Sequence, residues 1–118
     1  MATSDTNLRH LFTLRLRDAR RAAGLSQREL GRRIGLTEDV VHSRVARYEL
    51  ETSEPDFATT QRLAQELGVP VAYLLADTEA LAQIVLAAAV LSPSKQRKLA
   101  TELATLADNR KRSDSAST

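Results

Sequence analysis

The sequence predicts an all-α protein, a five-helix body followed by a C-terminal two-helix hairpin, and three observations carry that prediction. Apolar residues recur at helical spacing in nearly every segment. No run alternates β-branched and polar residues between turn residues, as a half-buried strand would. Helix start and stop signals follow one another at short intervals, and 118 residues suit one compact unit with appendages better than two independent cores.

Residues 1–7 form a flexible N-terminus, and the first helix runs from about Leu8 to Ala23. Leu8, Leu11, Phe12, Leu16, Ala19 and Ala23 are spaced for one buried face, and Gly24 ends the helix. In "LSQREL" Ser26 is an N-cap, Glu29 can reach back to complete a capping box, and Leu25 precedes the cap as a staple, so a second helix covers about Gln27 to Ile34. Gly35 suits the left-handed residue that closes it. Thr37 can cap a third helix from about Glu38 to Leu50. "ETSEPD" is a loop whose Asp56 caps a fourth helix, stopped at Gly68, and Pro70 can start a short fifth, "VAYLL". The body thus spans residues 8–77.

A hairpin over residues 78–107 follows, "EALAQIVLAAAVL" and a last helix that begins at Ser92 and Pro93, a capping residue before the residue favoured at the first helical position, and ends near Leu106. Residues 108–118 read as a disordered tail. The expected core is Leu16, Leu30, Ile34, Val45, Tyr48, Leu63, Leu67 and Leu74, with the aromatic residues inside it.

The net charge of +2 hides an asymmetry. Residues 1–50 hold ten Arg against six acids, a net of +4, whereas residues 51–107 hold four Lys or Arg against seven acids, a net of −3. The first half is therefore the side to examine for a polyanionic partner. Arginine outnumbers lysine fourteen to three throughout, so the asymmetry is informative and the choice of arginine is not. With no cysteine, disulfides and thiolate metal sites are excluded. The start lacks a secretory signal, and "IVLAAAV" is far short of the roughly 20 residues a membrane helix needs, so no membrane partner is expected and the cytoplasm, at the bacterial nucleoid, is the expected location.

Two short helices joined by a glycine-bearing turn, with a longer helix before and two more after, form a helix-turn-helix layout. The segments "LRDARRAAGLSQRELGRRIGL", "RVARYE" and "EPDFATTQRLAQELGVPVAYLL" resemble the phage-repressor type of helix-turn-helix, the family of Cro and lambda repressor and their bacterial relatives (the XRE type), over about residues 14–76. The resemblance implies a lambda-repressor-like fold and a DNA-binding transcriptional regulator. It gives Gly31 the task of letting the third helix cross close, and it pairs Arg20 with Glu49 in a structural ion pair. Gln27 matches a position that meets DNA phosphate in this family; Arg28, Thr52 and Ser53 are further phosphate candidates.

One departure stands out. The family spacing fits Val45 and Tyr48, and it also fits Val41 measured from Gly35, which leaves four residues inserted. Four residues are close to one turn, so Val41 should lie one turn below Val45 on the same face of a lengthened recognition helix. Glu38 and Asp39 then fall in its first turn, where acids complement exposed N–H groups. His42, Ser43, Arg44 and Arg47 are left on or beside the outward face as candidates for base reading.

Two histidines, no cysteine and no phosphate-binding glycine loop leave nothing for catalysis, and no metal or other cofactor is implied. The terminal hairpin is apolar on more than one side: Leu81, Ile84, Val85, Val90, Leu91, Leu99, Leu103 and Leu106 are the residues expected to bury themselves in a homodimer. The expected function is a repressor that binds double-stranded DNA as a dimer on an inverted-repeat operator. The alternative is an antitoxin or adaptor that uses the same fold to bind a protein.

Overall fold

A computed structural model of the chain describes residues 7–116; the expectation of a flexible start therefore falls, except for Asn7, outside the described residues. Among the described residues every regular element is helical: α1 (Leu8–Ala22), α2 (Gln27–Arg33), α3 (Val41–Glu49), α4 (Phe57–Leu67), α5 (Val71–Leu74), α6 (Glu79–Ala89) and α7 (Pro93–Ala116). The fold is all-α.

Side-chain caps set most of the starts. Asn7, Ser26 and Asp56 each accept from the backbone N–H three residues on, and Thr78 and Ser92 do the same ahead of α6 and α7. The capping box at α2 is only half made. Glu29 turns instead to Arg33 (3.5 Å) and Arg32 (3.8 Å), because two guanidinium groups one turn ahead compete for its carboxylate.

The chain divides into two units, residues 1–86 and 87–118. The boundary falls inside α6 rather than at residue 78, because Ala82 is fully buried and Val85 and Leu86 pack on the core of the first unit. That core contains all eight residues expected there, together with Phe12, Ala19, Leu25, Tyr73 and Ala76. Two features were not anticipated. Phe57, expected inside, is 92% exposed: it is the first residue of α4, ahead of the turn whose Thr60, Leu63 and Ala64 are buried. Arg15 is almost completely buried: one guanidinium N–H donates to the Ala76 carbonyl, Nε lies 4.0 Å from Glu79, and Nε and Nη2 have no hydrogen-bond partner.

Within the second unit α7 runs on to Ala116, ten residues beyond the end expected near Leu106. No glycine or proline follows Pro93, and Arg110 and Asp114 stand 4.0 Å apart at i,i+4, so nothing local stops the helix within what was read as a tail. Val90, Leu103 and Leu106 are exposed, and Leu91 and Leu99 are partly covered. In the first unit Leu81 and Ile84 are exposed on α6.

Candidate nucleic-acid interface

The interface is built on the joint between α2 and α3. Gly35 takes a φ of +90°, which a side chain rarely tolerates, and turns the chain sharply after α2. Gly31 then allows close approach: a Cβ there would lie 2.9 Å from Val41 Cγ2 and 3.0 Å from the Val41 carbonyl oxygen. Val41 and Val45 are both fully buried, one turn apart on one face.

The four additional residues do not lengthen the recognition helix. They form a separate turn, in which the Thr37 carbonyl accepts from the N–H groups of Val40 (3.0 Å) and Val41 (2.9 Å), and α3 begins only at Val41. Thr37 is not the cap; its hydroxyl donates to the Asp39 carboxylate, and Val40 stands at the cap position without a side-chain bond. The two acids are engaged locally. Arg32 Nε donates to Glu38 at 3.0 Å, and this bond, with the guanidinium charge, holds the Glu38 carboxyl below its ordinary range. The Thr37 hydroxyl lowers Asp39 in the same way, with a smaller contribution from His42.

Burial of Val41, Val45, Tyr48 and Glu49 fixes which side of α3 faces outward. At about 100° per residue, Ser43, Ala46 and Arg47 form the opposite stripe, with His42 and Arg44 on its two flanks. Arg47 and His42 are exposed, and Ser43 and Arg44 are half-buried. Neither Arg44 nor Arg47 has a side-chain hydrogen bond or ion pair with another described residue, so both guanidinium groups are available. Ser43 Oγ donates weakly to the Val40 carbonyl at 3.4 Å. Ala46 was missed by reasoning from charge, although a small apolar residue next to His42 and Ser43 on this surface suits a thymine methyl.

The phosphate candidates differ among themselves. Arg28 is exposed at the start of α2 with no hydrogen bond or ion pair within the chain. Gln27 is half-buried and donates through Nε2 to Glu49 at 3.0 Å, which leaves its carbonyl oxygen and the helix N-terminus to face a partner. Thr52 is exposed, its hydroxyl donating to the Arg47 carbonyl at 3.3 Å. The Ser53 hydroxyl is shielded from solvent without a partner, so as it stands it is not presented to a phosphate.

Glu49 anchors this assembly from behind. Arg20 meets it in two bonds, Nε to Oε2 at 2.7 Å and Nη2 to Oε1 at 3.0 Å, and donates through Nη1 to the Leu25 carbonyl. Arg17, which sequence reasoning did not single out, adds a contact to the Glu49 carboxylate at 3.5 Å and a bond to its backbone carbonyl at 3.2 Å. Burial pushes the Glu49 carboxyl up, but the bonds from Arg20 and Gln27 and the charges of Arg20 and Arg17 outweigh it and hold the group below its ordinary value. The first-helix arginines 17 and 20 are thereby committed to holding α3 in place.

Comparison with known proteins gives the same picture. The chain is 33% identical over 69 residues to the cryptic phage CTXphi transcriptional repressor RstR of Vibrio cholerae, covering 58% of this chain and 59% of that protein's length. The crystal structure of the transcriptional regulator BswR superposes with a TM-score of 0.71 at 34% identity, covering 79% of this chain and 92% of that one. A family model described as Helix-turn-helix matches residues 16–74, half of the sequence and nearly all of the body. The chain belongs to the helix-turn-helix family of transcriptional regulators, of the phage-repressor type.

Proposed function

We propose that this protein is a sequence-specific regulator of transcription that binds double-stranded DNA, a repressor acting in the cytoplasm as a homodimer on an inverted-repeat operator. The observation that carries the reading is the outward stripe of α3 together with its flanks. Arg44 and Arg47 are unpaired there, while the neighbouring acids Glu38 and Glu49 are neutralised by Arg32 and Arg20. A guanidinium left free in this position suits the two acceptors on a guanine edge. Arg28, Thr52 and the N-terminus of α2, with Gln27, would seat on phosphates and fix the register. The repressor sense is supported by the likeness to a protein named a transcriptional repressor.

Dimerisation is supported by apolar residues left exposed or only partly covered in each unit: Leu81, Ile84 and Val85 on α6 in the first, and Val90 and Leu91 in the turn with Leu99, Leu103 and Leu106 on α7 in the second. A two-fold dimer sets its recognition helices in successive major grooves, so half-site centres should lie about 34 Å apart or at a multiple of that distance. Selection from a random DNA pool followed by footprinting tests the proposal. A single enriched inverted repeat supports it. Binding that stays weak, salt-sensitive and indifferent to sequence would instead mark a protein that uses the fold for another partner.

A further inference from the structure

Phe57, the most exposed of the large apolar side chains among the described residues, forms one wall of a cavity of about 210 Å³ on the first unit. Leu8, Phe12, Pro55 and Leu75 line it too, bringing together the start of α1, the loop before α4 and the residue after α5. Its lining includes one charge of each sign. Arg9 Nη1 lies 3.4 Å from Glu54 Oε1, both side chains keep contact with solvent, and the pair leaves Arg9 Nε and Nη2 and the second Glu54 oxygen open to a further partner.

We propose that this cavity binds a free apolar α-amino acid of the leucine, methionine or phenylalanine type. The size selects a small molecule: the volume is smaller than the roughly 300 to 1,000 Å³ of pockets for drug-sized ligands. The apolar walls take one hydrocarbon or aromatic side chain. The paired charges select the rest, since an α-amino acid carries a carboxylate and an ammonium on the same carbon, and Arg9 and Glu54 offer their complements side by side. A simple carboxylic acid would set its charge against Glu54. A simple amine would set its own against Arg9.

Glu54 and Pro55 continue the loop that carries Thr52, so a bound amino acid ties that loop to α1 and α4. If the DNA-binding reading above holds, the ligand acts as a co-repressor: it raises operator affinity, and operator DNA raises ligand affinity by the same factor.

Titration calorimetry on the full chain, without DNA, tests the site by itself. Saturable binding of L-leucine, L-methionine or L-phenylalanine is expected, with 4-methylpentanoate and isopentylamine each about fivefold weaker or worse, the worth of one partly exposed charge contact. Arg9→Gln and Glu54→Gln, both checked by thermal melts to fold as the parent does, should each weaken binding to a similar degree. No saturable binding by any of the three amino acids overturns the proposal, and so does binding that both substitutions leave unchanged. Since these measurements contain no DNA, their failure leaves the reading of α3 standing, and a failed DNA selection leaves the cavity standing.

Discussion

Glu49 is the residue on which stability and function meet. Its carboxylate is almost wholly shielded and receives Arg20, Arg17 and Gln27 together, so removing Arg20 takes away its two shortest bonds from a guanidinium, and removing Glu49 leaves the largely shielded Arg20 without its acid. Arg20→Ala and Glu49→Ala are each expected to cost about 3 to 5 kcal/mol, read as a fall in melting temperature. The pH dependence has a definite sign. A carboxyl depressed in the folded state stabilises fully above its ordinary value of 4.5 and loses that contribution as the pH falls toward the lower folded value. Melts of the parent chain should therefore weaken below about pH 4.5, and Glu49→Gln should flatten that part of the curve. Gln27 shares this carboxylate, so Gln27→Ala is expected to lower stability as well as affinity, and to lower affinity for all sequences alike.

At the scale of elements, α3 depends on what α2 omits. A methyl group on Gly31 would press on Val41 through both side chain and carbonyl, and the backbone atom cannot rotate away. Gly31→Ala should destabilise by about 1 to 3 kcal/mol in denaturant unfolding, and Val41→Ala in the same chain should relieve part of the strain. On the outer face, Arg44→Ala and Arg47→Ala are expected to relax preference at particular base pairs of a selected site by about 1 to 3 kcal/mol each, whereas Arg28→Ala should weaken every sequence and reduce the salt dependence. Uniform loss from the two α3 substitutions would move the reading face toward the turn at Glu38 and Asp39. Much of this element was legible in the sequence, because Val41, Val45 and Tyr48 carry a local period. Its start was not: Thr37 can bond a nearby side chain as well as cap a backbone N–H, and in the structure it donates to Asp39 while the inserted residues form a turn ahead of Val41.

For the whole molecule, the core was readable because burial in helices follows spacing along the chain. Arg15 was not readable, since its burial is set by Ala76, sixty-one residues away, and Phe57 was misplaced because helical spacing gives the face of a residue but not whether a neighbouring element covers the first turn. The dimer proposal is a prediction at this scale. Truncation after Asp77 would also remove Ala82 from the core, so surface charge is the cleaner perturbation. Ile84→Glu and Leu103→Glu should each leave the melt of the body intact and shift sedimentation from dimer to monomer; a dimer that survives both would put the contact elsewhere.

Glu51, just past the recognition helix, holds a φ of +63° without being glycine, and its carboxylate lies 3.0 Å from His10 Nδ1. The position weighs backbone ease against a tether to α1. Glutamate and glycine codons can differ by one base, so a lineage can exchange the two in a single step: glycine would free the joint before Thr52, and glutamate keeps it moored. Variation at this one residue thus offers a short evolutionary route to retune how firmly the loop that carries Thr52 is held, without touching Arg44 or Arg47, the residues proposed to read bases.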